Sequence, residues 1–364
     1  MESKSFLPVI CFVFVVLGLV NAEVPAVFVL GDSTADVGTN NFLPGHLARA
    51  DFPPNGIDFP HSKPTGRFSN GLNSADFLAK LMGFKRSPIT FFALAANPKL
   101  LKRACFRGVN FASGGSGILD NTGQTTSTFL NSVKNVVSLR EQIEQLSAVY
   151  SNLTAIKGSA DTEILFSKSL FFISIGSNDL LSYYHSNTSV PKQEFFSALE
   201  HEYEKHLKNL LKLGARKIGI ISVPPVGCCP SQRVYNESGG CLEGLNDLSL
   251  DFLSTTKALL MKLSSECTGL KYSLGNTFEM TINVIANPIL FGFKEVQTAC
   301  CGVKRFNGDG ICDNKADLCS NRHEYLFWDL FHPTMAASKL AALTLYAGEP
   351  RFVSPINFKQ LAEA

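Results

Sequence analysis

Residues 27–41 read VFVLGDSTADVGTNN: a short apolar run that breaks off at Gly31 into Asp32, Ser33 and a string of small polar residues. An apolar run without polar alternation is the pattern of a strand buried on both faces. A glycine at its exit is explained by a turn; the serine beyond it raises the question of what the rest of the chain supplies to it. Working outward, segments 26–30, 109–111, 170–175 and 217–223 carry the same apolar signature, and 272–274 repeats it more weakly. Amphipathic stretches lie between them. Val136, Leu139, Ile143, Leu146 and Tyr150 recur at spacings of three and four, as do Phe195, Leu199, Tyr203, Leu207 and Leu210, and each set forms one helix face. A final helix is expected from Pro333 onward. Alternating strands and helices argue for a mostly parallel sheet covered on both faces, with ligands beyond the carboxyl ends of its strands.

Composition narrows the class. With 364 residues, 45% hydrophobic and 18% charged, the chain can bury a large core. A net charge of +2 and the lack of a long basic stripe exclude nucleic acid and anionic membrane surfaces as expected partners. Lys4, the apolar stretch 6–20 and the small-residue site Val20-Asn21-Ala22 read as a secretory signal peptide over 1–22, leaving a mature chain from Glu23. No later segment approaches 18 apolar residues, so no stable membrane span is expected. Oligomeric state is not readable. Nine cysteines follow Cys11, four of them crowded into 300–319, which suggests a stapled loop in an oxidising compartment rather than a zinc site. An odd number leaves at least one thiol unpaired. Sequons at Asn152, Asn187 and Asn236 fit secretion.

Three stretches carry chemistry. Gly31-Asp32-Ser33 follows the first strand, where a following helix is expected to aim N–H groups near the serine. Residues 173–181, ISIGSNDLL, present Asn178 after another strand, and residues 327–334, FWDLFHPT, set Asp329 three residues before His332. A serine becomes a nucleophile when an imidazole takes its proton, and the imidazole needs a carboxylate to hold its tautomer. Asn178 offers an amide donor for a developing oxyanion, beside backbone N–H groups of Ser33 and a glycine. Singly, each stretch reads as an ordinary turn or helix cap; together, each at a strand end or helix start, they point to a site. Other motifs fall away. HEYEKH at 201–206 has one residue too many for a zincin and fits an exposed helix face, so no metal is expected. No G-x-S-x-G elbow, P-loop or G-x-G-x-x-G is present, so no cofactor is expected. The apolar-then-basic segment 91–106 reads either as surface-loop packing or as a flap over an acyl chain.

These motifs resemble the plant GDSL esterase/lipase family within the SGNH hydrolases. The resemblance runs in family order through 27–42, RGVNFASGGSGILD (107–120), the 173–181 stretch, SVPPVGCCPSQR (222–233), CLEGLN (241–246), NPILFGF (287–293), ACCG (299–302) and YLFWDLFHPTMAAS (325–338). It implies a single SGNH hydrolase domain over 23–364, a flavodoxin-like three-layer α/β/α sandwich with a mostly parallel central sheet. It implies Ser33 as nucleophile, Asp329 and His332 as its relay, and an oxyanion hole from Ser33, Gly115 and Asn178, with Gly114 as the neighbouring alternative to Gly115. The family pattern also implies Cys228 paired with Cys241, and Cys300 and Cys301 joined to Cys312 and Cys319, leaving Cys105, Cys229 and Cys267 open. Two departures stand out: Thr34 replaces the family's usual leucine, and Cys229 adds a second cysteine where one is usual. The expectation is a secreted, cofactor-free serine hydrolase that cleaves carboxylic esters of lipids or acylated carbohydrates. An acyltransferase using the same acyl-enzyme, or a silent secreted binding protein, are the alternatives.

Overall fold

Val27–Gly31 forms β1, buried along its whole length, in the computed structural model of the chain. The structure describes residues 24–364 apart from 45–47, 98–99, 101–104, 125–135 and 187; the segment 1–22 and the Asn187 sequon therefore lie outside the described residues. β2 (Leu170–Ser174), β3 (Lys217–Ile221) and β4 (Lys271–Gly275) follow β1 in parallel, residue against residue. Alternation along each strand sends side chains to opposite faces. Phe28, Leu30, Phe171 and Ile173 enter one core; Val27, Val29, Leu170 and Phe172 enter the other. Helices Leu139–Lys157, Lys192–Lys212 and Glu243–Glu266 cover the first face, and Ser74–Leu81, Met335–Ala347 and Phe358–Glu363 the second. The three-layer α/β/α sandwich is thus present, because strands apolar on both sides must be covered twice.

Two sheet edges differ from expectation. Segment 109–111 runs parallel to β1, with Val29 N–H donating to Val109 O at 3.0 Å and Phe111 N–H to Val29 O at 2.8 Å, but it pairs only through Asn110. Hydrogen bonding to β1 goes on through Ser113 N–H to Gly31 O at 3.0 Å, while the Asn110 side-chain oxygen takes the Ala112 N–H at 2.9 Å. With this segment on its outer edge, the sheet reverses its winding at β1, and the crevice above β1 is where such sheets hold ligands. At the far edge, Val353–Pro355 forms an antiparallel strand, β7, against β4, which no apolar run announced. Between them, Cys301–Gly302 (β5) and Asp317–Leu318 (β6) make a separate two-residue ladder.

Helix starts follow caps rather than apolar spacing. Ser138 and Glu141 make a reciprocal capping box, so the helix begins at Leu139 and Val136 is buried ahead of it. Thr334 caps the Ala337 N–H, so the helix expected from Pro333 begins at Met335, while Pro333 bridges to Phe327. HEYEKH is not a fully exposed face: Tyr203 and His206 are buried, and His206 Nε2 lies 3.2 Å from Ile118 O. In segment 91–106, helix Phe91–Ala95 sets Phe91 5.9 Å from the Phe111 ring. Residues 98–99 and 101–104 lie outside the described residues, and the described remainder lines no part of the site cavity.

The disulfides are Cys228–Cys241, Cys300–Cys319 and Cys301–Cys312, and Cys105, Cys229 and Cys267 are all free. The 300–319 staple has a positional purpose. Cys300 N–H donates to Phe327 O at 3.0 Å and Cys301 N–H to Trp328 O at 2.7 Å, so the cross-linked loop braces the chain entering Asp329. Trp328 packs among Cys300, Cys301 and Cys312.

Candidate active site

The D-x-x-H spacing folds back on itself. Asp329 Oδ1 accepts the Phe331 N–H at 3.0 Å and the His332 N–H at 2.9 Å, a side-chain-closed turn that returns the imidazole to its own carboxylate. His332 Nδ1 then lies 2.7 and 2.9 Å from the two Asp329 oxygens, and Nε2 lies 2.7 Å from Ser33 Oγ. The Phe68 ring, 4.9 Å from the imidazole, walls its other side.

Ser33 reaches this point because β1 ends in a glycine. Gly31 has φ +146°, and a Cβ there would stand 2.2 Å from Ser174 O, so only glycine passes β2 this closely. Gln142 clamps it, accepting the Gly31 N–H and donating to the Gly31 oxygen, both at 2.8 Å. The helix expected to follow Ser33 is reduced to one turn, Asp36 N–H to Asp32 O at 3.0 Å; the first α-helix after it among the described residues is Ser74–Leu81. Among the described residues, no α-helix therefore starts directly after Ser33 in the chain.

The expected oxyanion donors gather at the same place. Ser33, Gly115, Asn178, Asp329 and His332 all line one cavity of about 410 Å³. The Gly114 N–H is committed to Asp36 Oδ2 at 3.0 Å, whereas among the described residues nothing accepts from the Gly115 or Ser33 N–H groups. Asn178 is the second residue of helix Ser177–His185, whose N-cap is Gly176, so it does not cap. Its Nδ2 donates to Ser116 O at 2.9 Å, which orients the amide and leaves a second N–H.

A model of the family described as GDSL-like lipase/acylhydrolase matches residues 27–345. Three GDSL esterases/lipases of Arabidopsis thaliana are similar over nearly the whole chain: one 35% identical, covering 93% of this chain and 90% of its own; one 36% identical, covering 93% and 89%; one 35% identical, covering 88% of each. The chain belongs to the GDSL-like lipase/acylhydrolase family. Membership places it among the ester-hydrolysing serine hydrolases.

Within this GDSL framework, the Thr34 departure makes hydrogen bonds that a leucine could not. Its hydroxyl donates to Asp32 Oδ1 at 2.8 Å and lies 2.8 Å from Ser174 Oγ, tying the serine turn to the end of β2. The extra cysteine sits beneath the histidine loop. Cys229 Sγ donates to Phe331 O at 3.7 Å, and burial, then the Asp329 charge, pushes its thiol up to about 12, so it is inert as a nucleophile.

Three residues that the sequence reading did not single out hold the site together. Besides Gln142, Asp36 accepts the N–H groups of Gly38, Thr39 and Gly114, joining the serine turn to the glycine loop. Asp179 accepts from Ile118 N–H at 2.8 Å, Leu119 N–H at 3.1 Å and Thr122 Oγ1 at 2.7 Å, pinning that loop to the Asn178 helix. Burial pushes both carboxyls up to about 6 against these hydrogen bonds. Asp179 stands beside Asn178 in a helix first turn, where an acidic residue reads as dipole compensation; nothing local marks it as a clamp.

The relay is polarised. Burial works against the charged form of both partners. For Asp329 the His332 charge, their hydrogen bond and two backbone N–H groups outweigh it and hold the carboxyl below its usual range. For His332 the Asp329 charge and hydrogen bond, then the Asp32 charge, outweigh burial and raise the imidazole above 6.5.

Proposed function

We propose that the chain is a secreted esterase, a signal peptide over 1–22 followed by one hydrolase domain, that acts through an acyl-enzyme on Ser33. The observation that carries this is the unbroken line Asp329–His332–Ser33, 2.7 Å at each join, opening into a cavity beside the unengaged N–H groups of Ser33 and Gly115. His332 Nε2 takes the Ser33 proton as Oγ bonds to the ester carbonyl carbon. The carbonyl oxygen becomes an oxyanion held by Ser33 N–H, Gly115 N–H and Asn178 Nδ2. As the tetrahedral species collapses, the ester C–O bond breaks and His332 returns the proton to the departing alcohol. Water repeats the cycle, losing its proton to His332 and releasing the acid. No step needs a metal or cofactor. Three disulfides support passage through an oxidising compartment. Purified protein on a panel of esters, with and without an alcohol acceptor, tests the reading: free acid as main product is expected, and ester product dominating with acceptor present would make the chain a transferase.

The pH profile follows from the raised imidazole. His332 must be unprotonated to accept the Ser33 proton, so kcat/KM rises with pH, and the acid limb is centred above 6.5. A limb centred at or below 6.5 contradicts the role of Asp329 as the raising charge.

Asn178→Ala separates an oxyanion donor from a tether. As a donor its loss lowers kcat by about 10² to 10³ with little change in KM. As a tether of Ser116 O alone, its loss costs about 1 kcal/mol of stability and leaves turnover nearly intact. The first outcome is expected, with kcat and Tm measured on one preparation.

A further inference from the structure

The cavity that holds Ser33 reaches far beyond the reacting groups. Helix Met335–Ala347, which starts three residues after His332, lines it with Ala337, Leu340, Ala341, Thr344 and Leu345. These positions fall at i, i+3, i+4, i+7 and i+8, one continuous face, so the lined stripe runs about 12 Å along the helix axis away from the relay. Helix Thr277–Ala286 contributes a second stripe, Thr277, Met280, Thr281 and Val284, again on a single face, with Asn283 beside it. The cavity therefore has an arm lined by two helix faces. Two buried side chains stand at its far end: Leu345 is fully buried, Met280 is 8% exposed, and Leu345 packs so close to Gly275 at the end of β4 that a Cβ there would stand 2.1 Å from it.

The chemistry of this arm is one-sided. The charged lining residues, Asp32, Arg49, Asp329 and His332, and the Cys229 thiol belong to neither stripe. Two of the three stripe hydroxyls are spent on backbone: Thr277 Oγ1 donates to Ser222 O and Thr344 Oγ1 to Leu340 O. A sugar or polyol entering here would find only Thr281 Oγ1 and the Asn283 amide on these two helices to replace its hydration, whereas a hydrocarbon chain would lose nothing. An all-trans chain, with C–C bonds of about 1.5 Å at tetrahedral angles, advances about 1.25 Å per carbon, so 12 Å holds about ten carbons.

We propose that this arm takes the acyl tail of the substrate, that the preferred esters are those of unbranched acids of about eight to ten carbons, and that Met280 and Leu345 set the limit. The inference rests on the hydrolase reading above and adds its substrate class. Each methylene buried in such a site is worth about two- to fourfold in kcat/KM.

The test is a p-nitrophenyl ester series from C2 to C16, with decanoate and hexanoate binding measured by calorimetry alongside. Wild-type kcat/KM is expected to climb to C8–C10 and then fall, and decanoate to bind at least tenfold tighter than hexanoate. Ala341→Phe and, from the facing helix, Thr281→Phe each fill the arm and are expected to lower the C8-to-C2 ratio at least tenfold; either variant suffices if the other does not fold. Met280→Ala is expected to move the optimum to longer chains. Esters cleaved without regard to length, with ratios unmoved by both fillings, overturn the inference and leave the hydrolase reading standing. Chain-length-graded decanoate binding in a protein that cleaves no ester upholds the arm and removes the hydrolase reading instead.

Discussion

Ser33→Ala lowers kcat for ester hydrolysis by about 10⁴ to 10⁶-fold and abolishes labelling by a fluorophosphonate. The expectation is large because Ser33 Oγ is the atom at which the whole relay converges, 2.7 Å from His332 Nε2. Without it the imidazole has no bound nucleophile to deprotonate, and only a water held in the cavity remains for attack. The fold should survive. Ser33 is only part-buried, and among the described residues its one side-chain bond is to His332; the turn around it is held by Gly31, Asp32 and Thr34. An unchanged Tm beside the lost activity is therefore part of the expected result. Equal labelling of both proteins, or a drop of only tenfold, removes Ser33 from the mechanism.

Asp329→Asn comes second, at about 10⁴ in kcat. The substitution keeps Oδ1 as acceptor for the Phe331 and His332 N–H groups, so the turn that returns the imidazole can persist. What changes is the second position. An amide N–H facing His332 Nδ1 forces that nitrogen to accept, which places the ring proton on Nε2, where it faces Ser33 and blocks proton transfer. The charge that raises His332 is lost as well, so the acid limb of any residual activity moves down in pH. A downward shift together with the large loss of kcat marks Asp329 as an electrostatic and tautomeric partner. A loss below tenfold with an unmoved limb would show that His332 works without it.

How much of this was legible in the chain divides along physical range. Four of the five strands of the main sheet were readable because a strand buried on both faces must be apolar at consecutive positions, and that constraint is written locally. So were the helix faces that cover them, since spacing of three and four is also local. Ser33, Asn178, Asp329 and His332 could be named for a related reason: each follows a strand end or precedes a helix start, and Asp329 and His332 lie within one turn of each other. Resemblance supplied Gly115 and the cysteine groups.

Tertiary structure decided the rest, wherever a residue's partner is remote. Gly115 rather than Gly114 is the unengaged donor because Asp36, 78 positions away, takes the Gly114 N–H. Asp179 clamps a loop 57 to 61 residues off, Gln142 grips Gly31 across 111, and Thr34 meets Ser174 across 140. Each of these polar side chains reads locally as a cap, a turn or a solvated position, because a hydrogen bond leaves no periodicity in sequence. The β7 edge is the same case in backbone: Val-Ser-Pro carries no strand pattern, and only the free edge of β4 makes it one. Local patterning, then, specified the layers and the reacting groups; the positions of those groups relative to one another were set by contacts between segments that burial brings together and sequence keeps far apart.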